Sequence, residues 1–432
     1  MKLKKILIMT IFVLILTIGA VSASDDNQTS DELAVDDNTE IETLDEHAGD
    51  VKDDSVLSMD DEDEKLAVGT EDPSMTVSTE DIMEGEPAVI NVSLESDATG
   101  SITVQVNNRT FLADIVSGSA SLAVSNLGPG TYQFQVTYSG DDNYASVTVP
   151  CTVNVMPDTT FEKLKKLIDD DVTGEITLDR DYHGNSSEIV ISKTITINGN
   201  GHTLNAHGVS RIFHITAGSV VINNLTFVNG FTDSDGGAVY FDLGSTGIVT
   251  DCNFTNNSAD EDGGAVYVKG LDCKIYNSTF TDNTAGDDGG AILWEGARGL
   301  IYNSTFTSNR GVGRNGAHSS GGAINLVGDY SVVEKSKFDG NTADINGGSI
   351  YASGNYVNIT DSTFTNSNVT HTKENDYAHG GGAIYIEGHD TNIINSTFNQ
   401  TNARVGGVIY VHGNIAAIIN STITNSYAVT GG

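Results

Sequence analysis

Gly263-Gly264-Ala265-Val266-Tyr267-Val268, followed by Ile275 and then Phe280-Thr281-Asp282-Asn283, is one turn of the repeat that decides the fold. A glycine pair ahead of an apolar strand recurs at Gly236, Gly263, Gly289, Gly321, Gly347, Gly381 and Gly406, with a final pair at Gly431-Gly432. Subtracting neighbouring positions gives 27, 26, 32, 26, 34, 25 and 25, a period of about 26 residues with two longer intervals. A second mark keeps step at Phe227, Phe254, Phe280, Phe306, Phe338, Phe364 and Phe398, then Ile423. Val249, Ile275, Ile301, Val333, Ile359, Ile393 and Ile418 each stand five residues ahead of the mark in their own turn.

Three short β-segments per period, joined by turns, close into one coil of a parallel β-helix, and coils stack about 4.8 Å apart. Alternation assigns the faces of the glycine strand. Val239, Val266, Ile292, Ile324, Ile350, Ile384 and Ile409 are expected inward, with Phe241, Val268, Trp294, Leu326, Ile386 and Val411 two places on. Tyr240, Tyr267, Leu293, Asn325, Tyr351, Tyr385 and Tyr410 fall between them and point out. A small residue recurs two places before each phenylalanine, at Ser278, Ser304, Ser336, Ser362 and Ser396. Cys252 holds the same rung, so it reads as a small buried side chain, not a nucleophile. The period-2 texture and the Thr, Val, Ile and Asn content exclude a helical solenoid.

Outward from the array toward the N-terminus, Phe161, Leu164, Leu167 and Ile168 share one face of a short helix at 157–170. Thr159-x-x-Glu162 offers it a capping box. Such a helix suits the first coil, whose apolar end and strand edges need covering. Before it, from 73 to 156, short alternating strands such as Ala88 to Leu94 and Thr131 to Tyr138 are separated by Gly, Asn and Asp turns. About seven of them describe a β-sandwich. The predicted fold is all-β: a right-handed parallel β-helix over 171–432, preceded by a small Ig-like sandwich.

Lys2, Lys4 and Lys5 precede an apolar run from Ile6 to Ile18 and the small residues Val21-Ser22-Ala23. That is the form of a secretory signal over 1–23, which places the mature chain outside the cell. No later stretch is long and apolar enough to span a bilayer, so the mature chain is expected to carry no transmembrane helix. Acidic residues crowd 24–72, which reads as a disordered, self-repelling linker. The formal net charge is −38, from 59 acidic and 21 basic residues, and it argues against nucleic acid as a partner. Cys151, Cys252 and Cys273 make no disulfide framework. Sequons such as Asn91-Val92-Ser93 and Asn277-Ser278-Thr279 permit N-glycosylation of an exported chain. Because the array stops at Gly431-Gly432, where another inward strand is due, further coils and an anchor are expected beyond it.

The motifs Gly289-Gly290-Ala291-Ile292 with Phe306-Thr307-Ser308-Asn309, and Gly263-Gly264-Ala265-Val266 with Phe280-Thr281-Asp282-Asn283, resemble those of chlamydial polymorphic outer-membrane proteins. Gly130 to Tyr144 resembles the last strands of bacterial and archaeal Ig-like surface repeats. The whole arrangement, with the opening Ile195-Thr196-Ile197-Asn198-Gly199-Asn200-Gly201-His202-Thr203-Leu204, is similar to adhesin-like surface proteins of methanogenic archaea. The resemblance covers roughly 73 to the end and implies a surface protein that binds the glycans or proteins of other cells. Ser367 and Thr401 depart from it at the Asn position, and the sequence carries no autotransporter barrel.

Two site expectations follow. Tyr240, Tyr267, Tyr351, Tyr385 and Tyr410 should form a broken aromatic ladder outside one sheet, either binding a ligand or bracing neighbouring strands. Both longer intervals lie in the turn before the glycine pair, and they bring Arg310, Arg314, His371, Lys373, Tyr377 and His379 to one edge of that sheet. Asp235, Asp262 and Asp288 precede successive glycine pairs, and Asp233 and Asp260 repeat two residues earlier. This oxygen-rich ladder suits Ca²⁺, and a solvated ladder with splayed side chains is the plainer expectation. No other cofactor is implied. A polysaccharide lyase or glycoside hydrolase is the rival class, since parallel β-helices cleave acidic glycans. The outward positions here are mostly Tyr and Ala, with no assembled carboxylate motif, so no catalytic residue is assigned. A purely structural stalk or surface-layer role is the third reading.

Overall fold

The computed structural model describes residues 70–313, 318–370, 380–414 and 416–430. The leader and nearly all of the acidic linker therefore lie outside the described residues, as do Arg314, His371, Lys373, Tyr377, His379 and the last glycine pair.

The sandwich pairs a three-stranded sheet (Thr76–Ser78, Ala88–Ser93, Ser119–Val124) with a five-stranded one (Ile82–Met83, Val147–Met156, Gly130–Tyr138, Ser101–Val106, Arg109–Asp114). Strict alternation builds its core. Ala88, Ile90 and Val92 are buried while Val89, Asn91 and Ser93 are exposed, and Val104, Phe134, Val136 and Tyr138 close the other side.

Helix α1 (Phe161–Asp170) comes next, and Phe161, Leu164 and Ile168 are buried in the same core as the first coil. Its N-cap is Thr160, whose hydroxyl accepts from Lys163 N, so the capping residue is one place later than Thr159. Leu167, expected on the buried face, is exposed, because at about 100° per residue it falls to one side of the face that Phe161, Leu164 and Ile168 share.

The β-helix runs from Glu175 in right-handed coils with parallel pairing throughout. The first two coils carry the three strands expected, and from Phe231 on each coil carries a fourth. The glycine strands form a nine-stranded sheet ending at Ile409–Val411, the isoleucine strands a ten-stranded sheet ending at Ala416–Ile419, and the phenylalanine strands another of ten ending at Thr422–Thr424. The fourth sheet has eight short strands, such as Ser258–Ala259 and Thr284–Ala285, too short to display a period.

Inside, the phenylalanines stack with ring centroids 4.6–4.9 Å apart. That is the coil spacing, so every ring covers the next. Cys252 is fully buried, and burial pushes its thiol up to about 12, which makes it inert. One rung further, Asn257, Asn283, Asn309 and Asn341 form a buried polar ladder. The Oδ1 of Asn283, Asn309 and Asn341 each accepts both the main-chain N–H and the Nδ2 of the asparagine one coil below, at 2.9–3.1 Å, and Asn257 Oδ1 accepts from Gly230 N at 2.8 Å. Each Nδ2 also donates to a phenylalanine carbonyl, so no polar atom of the ladder is orphaned. At the C-terminal end Ile418 and Ile423 are 48% and 51% exposed, and Ile409 and Val411, expected inward, are only partly covered.

Candidate functional site

The outer face of the glycine-strand sheet collects the residues singled out in the sequence. Parallel register aligns His214, Tyr240, Tyr267, Leu293, Asn325, Tyr351, Tyr385 and Tyr410 in one row. Tyr240 and Tyr267 stack at 5.1 Å and 3°, Tyr351 and Tyr385 at 5.4 Å, and Tyr385 and Tyr410 at 5.0 Å; Leu293 and Asn325 interrupt the row. Rings stacked along the axis cover one another's faces, so the row turns edges and hydroxyls outward. Tyr267 and Tyr385 are only 4% and 7% exposed. The broad apolar ring surface expected here is therefore largely consumed by strand-to-strand contact.

What remains accessible is polar. The Tyr267 hydroxyl donates to Glu295 at 2.9 Å, and Tyr351 donates to Glu387. Burial, reinforced by the Glu295 carboxylate, holds the Tyr267 phenol well above its ordinary range. Lys269 Nζ lies over the rings of Tyr240 and Tyr267 at 5.5 and 5.0 Å, and the Arg211 guanidinium lies 5.1 Å over Tyr240. Arg211 is held in place by Glu188 and by the carbonyls of Asp235 and Gly236.

Along one edge runs the acidic turn. Each turn needs its glycine pair: Gly263 sits at φ 61°, and a Cβ on Gly264 would stand 2.2 Å from the carbonyl of Gly290 in the next coil. The aspartate before each pair caps the next coil. Asp235 Oδ1 accepts from Asp262 N at 3.3 Å, Asp262 Oδ1 from Asp288 N at 2.8 Å, and Asp288 Oδ1 from Ser320 N at 2.7 Å. Asp288 Oδ2 also takes Asn325 Nδ2 at 2.8 Å. The three are half-buried, not splayed into solvent. Burial pushes Asp262 up to about 7, helped by the carboxylates of Asp288 and Asp235, and pushes Asp288 up to about 6. Asp235 is raised for the same reason. Asp233 is exposed and Asp260 half-buried in the turns before them. Among the described residues no three His, Cys, Asp or Glu side chains are placed to hold a metal ion. The geometry corrects the expectation of a splayed, solvated ladder, since one oxygen of each of the three carboxylates faces a main-chain N–H group of the next coil.

The described stems of both long turns return to this edge. Arg310 is exposed and opens a fourth-sheet strand paired with Thr284 and Thr342. After the first insert, Ser319 Oγ accepts from Asp344 N and Ser320 bridges Asn346; after the second, Gly380 bridges Val405. At the other end of the glycine strand, Tyr330 and Tyr356 stack at 4.7 Å with about half their surface exposed, a pair the sequence reading missed. Their shared place two residues after a glycine (Gly328, Gly354) was the available signal. Elsewhere, a shallow cleft of about 490 Å³ on the sandwich is lined by Glu80, Asp81 and Glu86. Two of its carboxylates are already engaged, Asp81 by Asn154 and Glu86 by Met83 N, so it is the poorer candidate. His202 bonds Asp181 at 3.1 Å.

Residues 75–156 match the family of bacterial Ig-like domains (group 3), and residues 210–375 match the right-handed β-helix region. No curated protein matches the chain. Among solved structures it is similar to the catalytic domain of a GH87 α-1,3-glucanase in complex with tetrasaccharides, at 12% identity and a TM-score of 0.35. That likeness spans 82% of this chain and 81% of the other, and is too loose to bear on chemistry. Among the described residues no helix is long and apolar enough to cross a membrane. The chain therefore joins a segment similar to bacterial Ig-like domains to one similar to right-handed β-helices.

Proposed function

We propose that the chain is an exported, cell-surface adhesin-like protein that holds glycans or a partner cell's surface against the side of its β-helix. The observation that carries this reading is convergence. A row of tyrosine hydroxyls and glutamates on a rigid sheet meets the stems of both long turns at one edge. Hydroxyl and carboxylate groups fixed at coil spacing suit the repeated hydroxyls of a glycan strand, and preorganisation limits the entropy lost on binding. Export rests on the leader at 1–23. The test shortens both long turns to the common length in the full chain, checks folding, and measures binding to a glycan array and to cells. Loss of binding in the folded variant is expected; unchanged binding would place recognition elsewhere.

A glycan-cleaving enzyme is the second reading, and one observation favours it: Asp262 and Asp288 stand on adjacent coils, and burial pushes the Asp262 carboxyl up to about 7, the range that suits a general acid. Release of reducing sugar that disappears in Asp262→Asn would establish it. A folded chain that neither binds nor cleaves glycans or cell surfaces would be a stalk.

A further inference from the structure

Where the isoleucine strand meets the phenylalanine strand, every coil turns on one residue in the left-handed region. These residues are Asn224, Asp251, Asn277, Asn303, Lys335, Asp361, Asn395 and Asn420, all with φ between 49° and 54°. Asn and Asp adopt that conformation at least cost among residues with a side chain. The following residue points into the core and must be small in most coils, as Cys252, Ser278, Ser304, Ser336, Ser362 and Ser396 are. The third opens a strand and points out, which suits Thr. These three demands write Asn-x-Thr at Asn224, Asn277, Asn303, Asn395 and Asn420, and Asn-x-Thr is the acceptor signal for an N-linked glycan.

The side chains at Asn277, Asn303, Asn395 and Asn420 are exposed, as is Asn224, whose neighbour at the corner of the next coil is Asp251 and not a second sequon. An amide nitrogen carries two hydrogens. The corner ladder uses one of them: Asn277 Nδ2 donates to Asp251 at 3.1 Å, Asn303 Nδ2 to Asn277 at 2.8 Å, and Asn395 Nδ2 to Asp361 at 3.1 Å. The second hydrogen remains replaceable without breaking the ladder. The corner is separated from the glycine-strand sheet by the isoleucine strand in one direction and by the phenylalanine and fourth-sheet strands in the other.

We propose that this corner carries N-linked glycans at Asn277, Asn303, Asn395 and Asn420, leaving the glycine-strand face clear. The donor is a lipid-phosphate-linked oligosaccharide. Its anomeric C–O bond to phosphate breaks, the asparagine Nδ2 forms the new bond to that carbon, and the displaced amide proton leaves with a base. Neighbouring asparagines lie one coil, about 4.8 Å, apart. Crowding then limits each pair, Asn277 with Asn303 and Asn395 with Asn420, to one glycan on most chains.

The proposal rests on export, and the test separates the two. The full chain is recovered from its native host, its location is determined, and its glycopeptides are sequenced by mass spectrometry. The expected result is an exported chain with glycan on at least one asparagine of each pair. Asn303→Asp, a residue the corner already accepts at Asp251 and Asp361, should remove any Asn303 glycan without changing the melting temperature. An exported chain with bare corner peptides overturns the proposal, whether or not Asn91 or Asn108 is modified, and leaves the sequons as products of the turn alone. A chain retained inside the cell overturns the export reading first and this one with it.

Discussion

Glu84, in the sandwich, accepts a hydrogen bond at 2.9 Å from the guanidinium of Arg180, 96 residues away in the first coil. Lys163 of α1 reaches the other oxygen at 3.1 Å. Burial raises the Glu84 carboxyl, but these two cations more than offset it and its pKa ends below the ordinary value. The sandwich is thereby pinned to the cap and the first coil. Glu84→Gln should weaken that joint by about 1 kcal/mol, the scale of a half-exposed ion pair. Faster proteolysis between Met156 and Phe161 should report it, and an unchanged cleavage rate would show that apolar packing alone fixes the module.

The acidic ladder sets a pH dependence. Asp262 and Asp288 hold protons in the folded chain up to about pH 7 and 6, whereas an unfolded aspartate releases them near 3.8. A raised folded pKa gives stability that is full below about 3.8 and is lost as pH rises through 6 to 7. Each titrating group then removes about 1.4 kcal/mol per pH unit across its window. Urea unfolding should accordingly give a less stable β-helix at pH 8 than at pH 5. Asp262→Asn should flatten the profile and raise the midpoint at pH 8, because an amide oxygen still accepts from Asp288 N without a charge.

Calcium should leave the melting curve where EDTA leaves it, since the ladder oxygens face main-chain N–H groups. A cation bound only by the folded form would add about 2.7 kcal/mol at a hundredfold excess over its dissociation constant. A rise of that size would reinstate a metal role for Asp235, Asp262 and Asp288.

Asn283→Ala should be among the costlier single changes in the coil. It orphans the main-chain N–H of Asn257 and one of the two Nδ2 hydrogens of that residue, both held at 3.0 Å, at about 1–3 kcal/mol for a buried group left unpaired. Asn283→Ser should cost less, because Ser367 occupies the same rung and pairs with Ser349. Equal losses for the two variants would show that side-chain volume, not hydrogen bonding, matters there.

The glycine and phenylalanine marks were enough to read the coil, its period and its inward residues from Val239 to Ile386, because stacking identical coils repeats one set of steric demands. The fourth sheet was illegible, since a two-residue strand such as Ser258–Ala259 has no period. Outward alternation at Tyr267 and Tyr385 was correct in direction and silent on burial. How much of an outward ring shows depends on the coils above and below, which alternation within one strand does not register. The protonated ladder at Asp262 was hidden for the same reason, because a carboxylate beside glycines looks solvated until the next coil's N–H groups close over it.

Phe161, Leu164 and Ile168 seal the first coil, and beyond it each described coil packs on the coils beside it. Contacts of that kind make the array a string of like mechanical links. A coil pulled away from its neighbours frees about 26 residues, on the order of 90 Å of slack, while coils farther along stay shut.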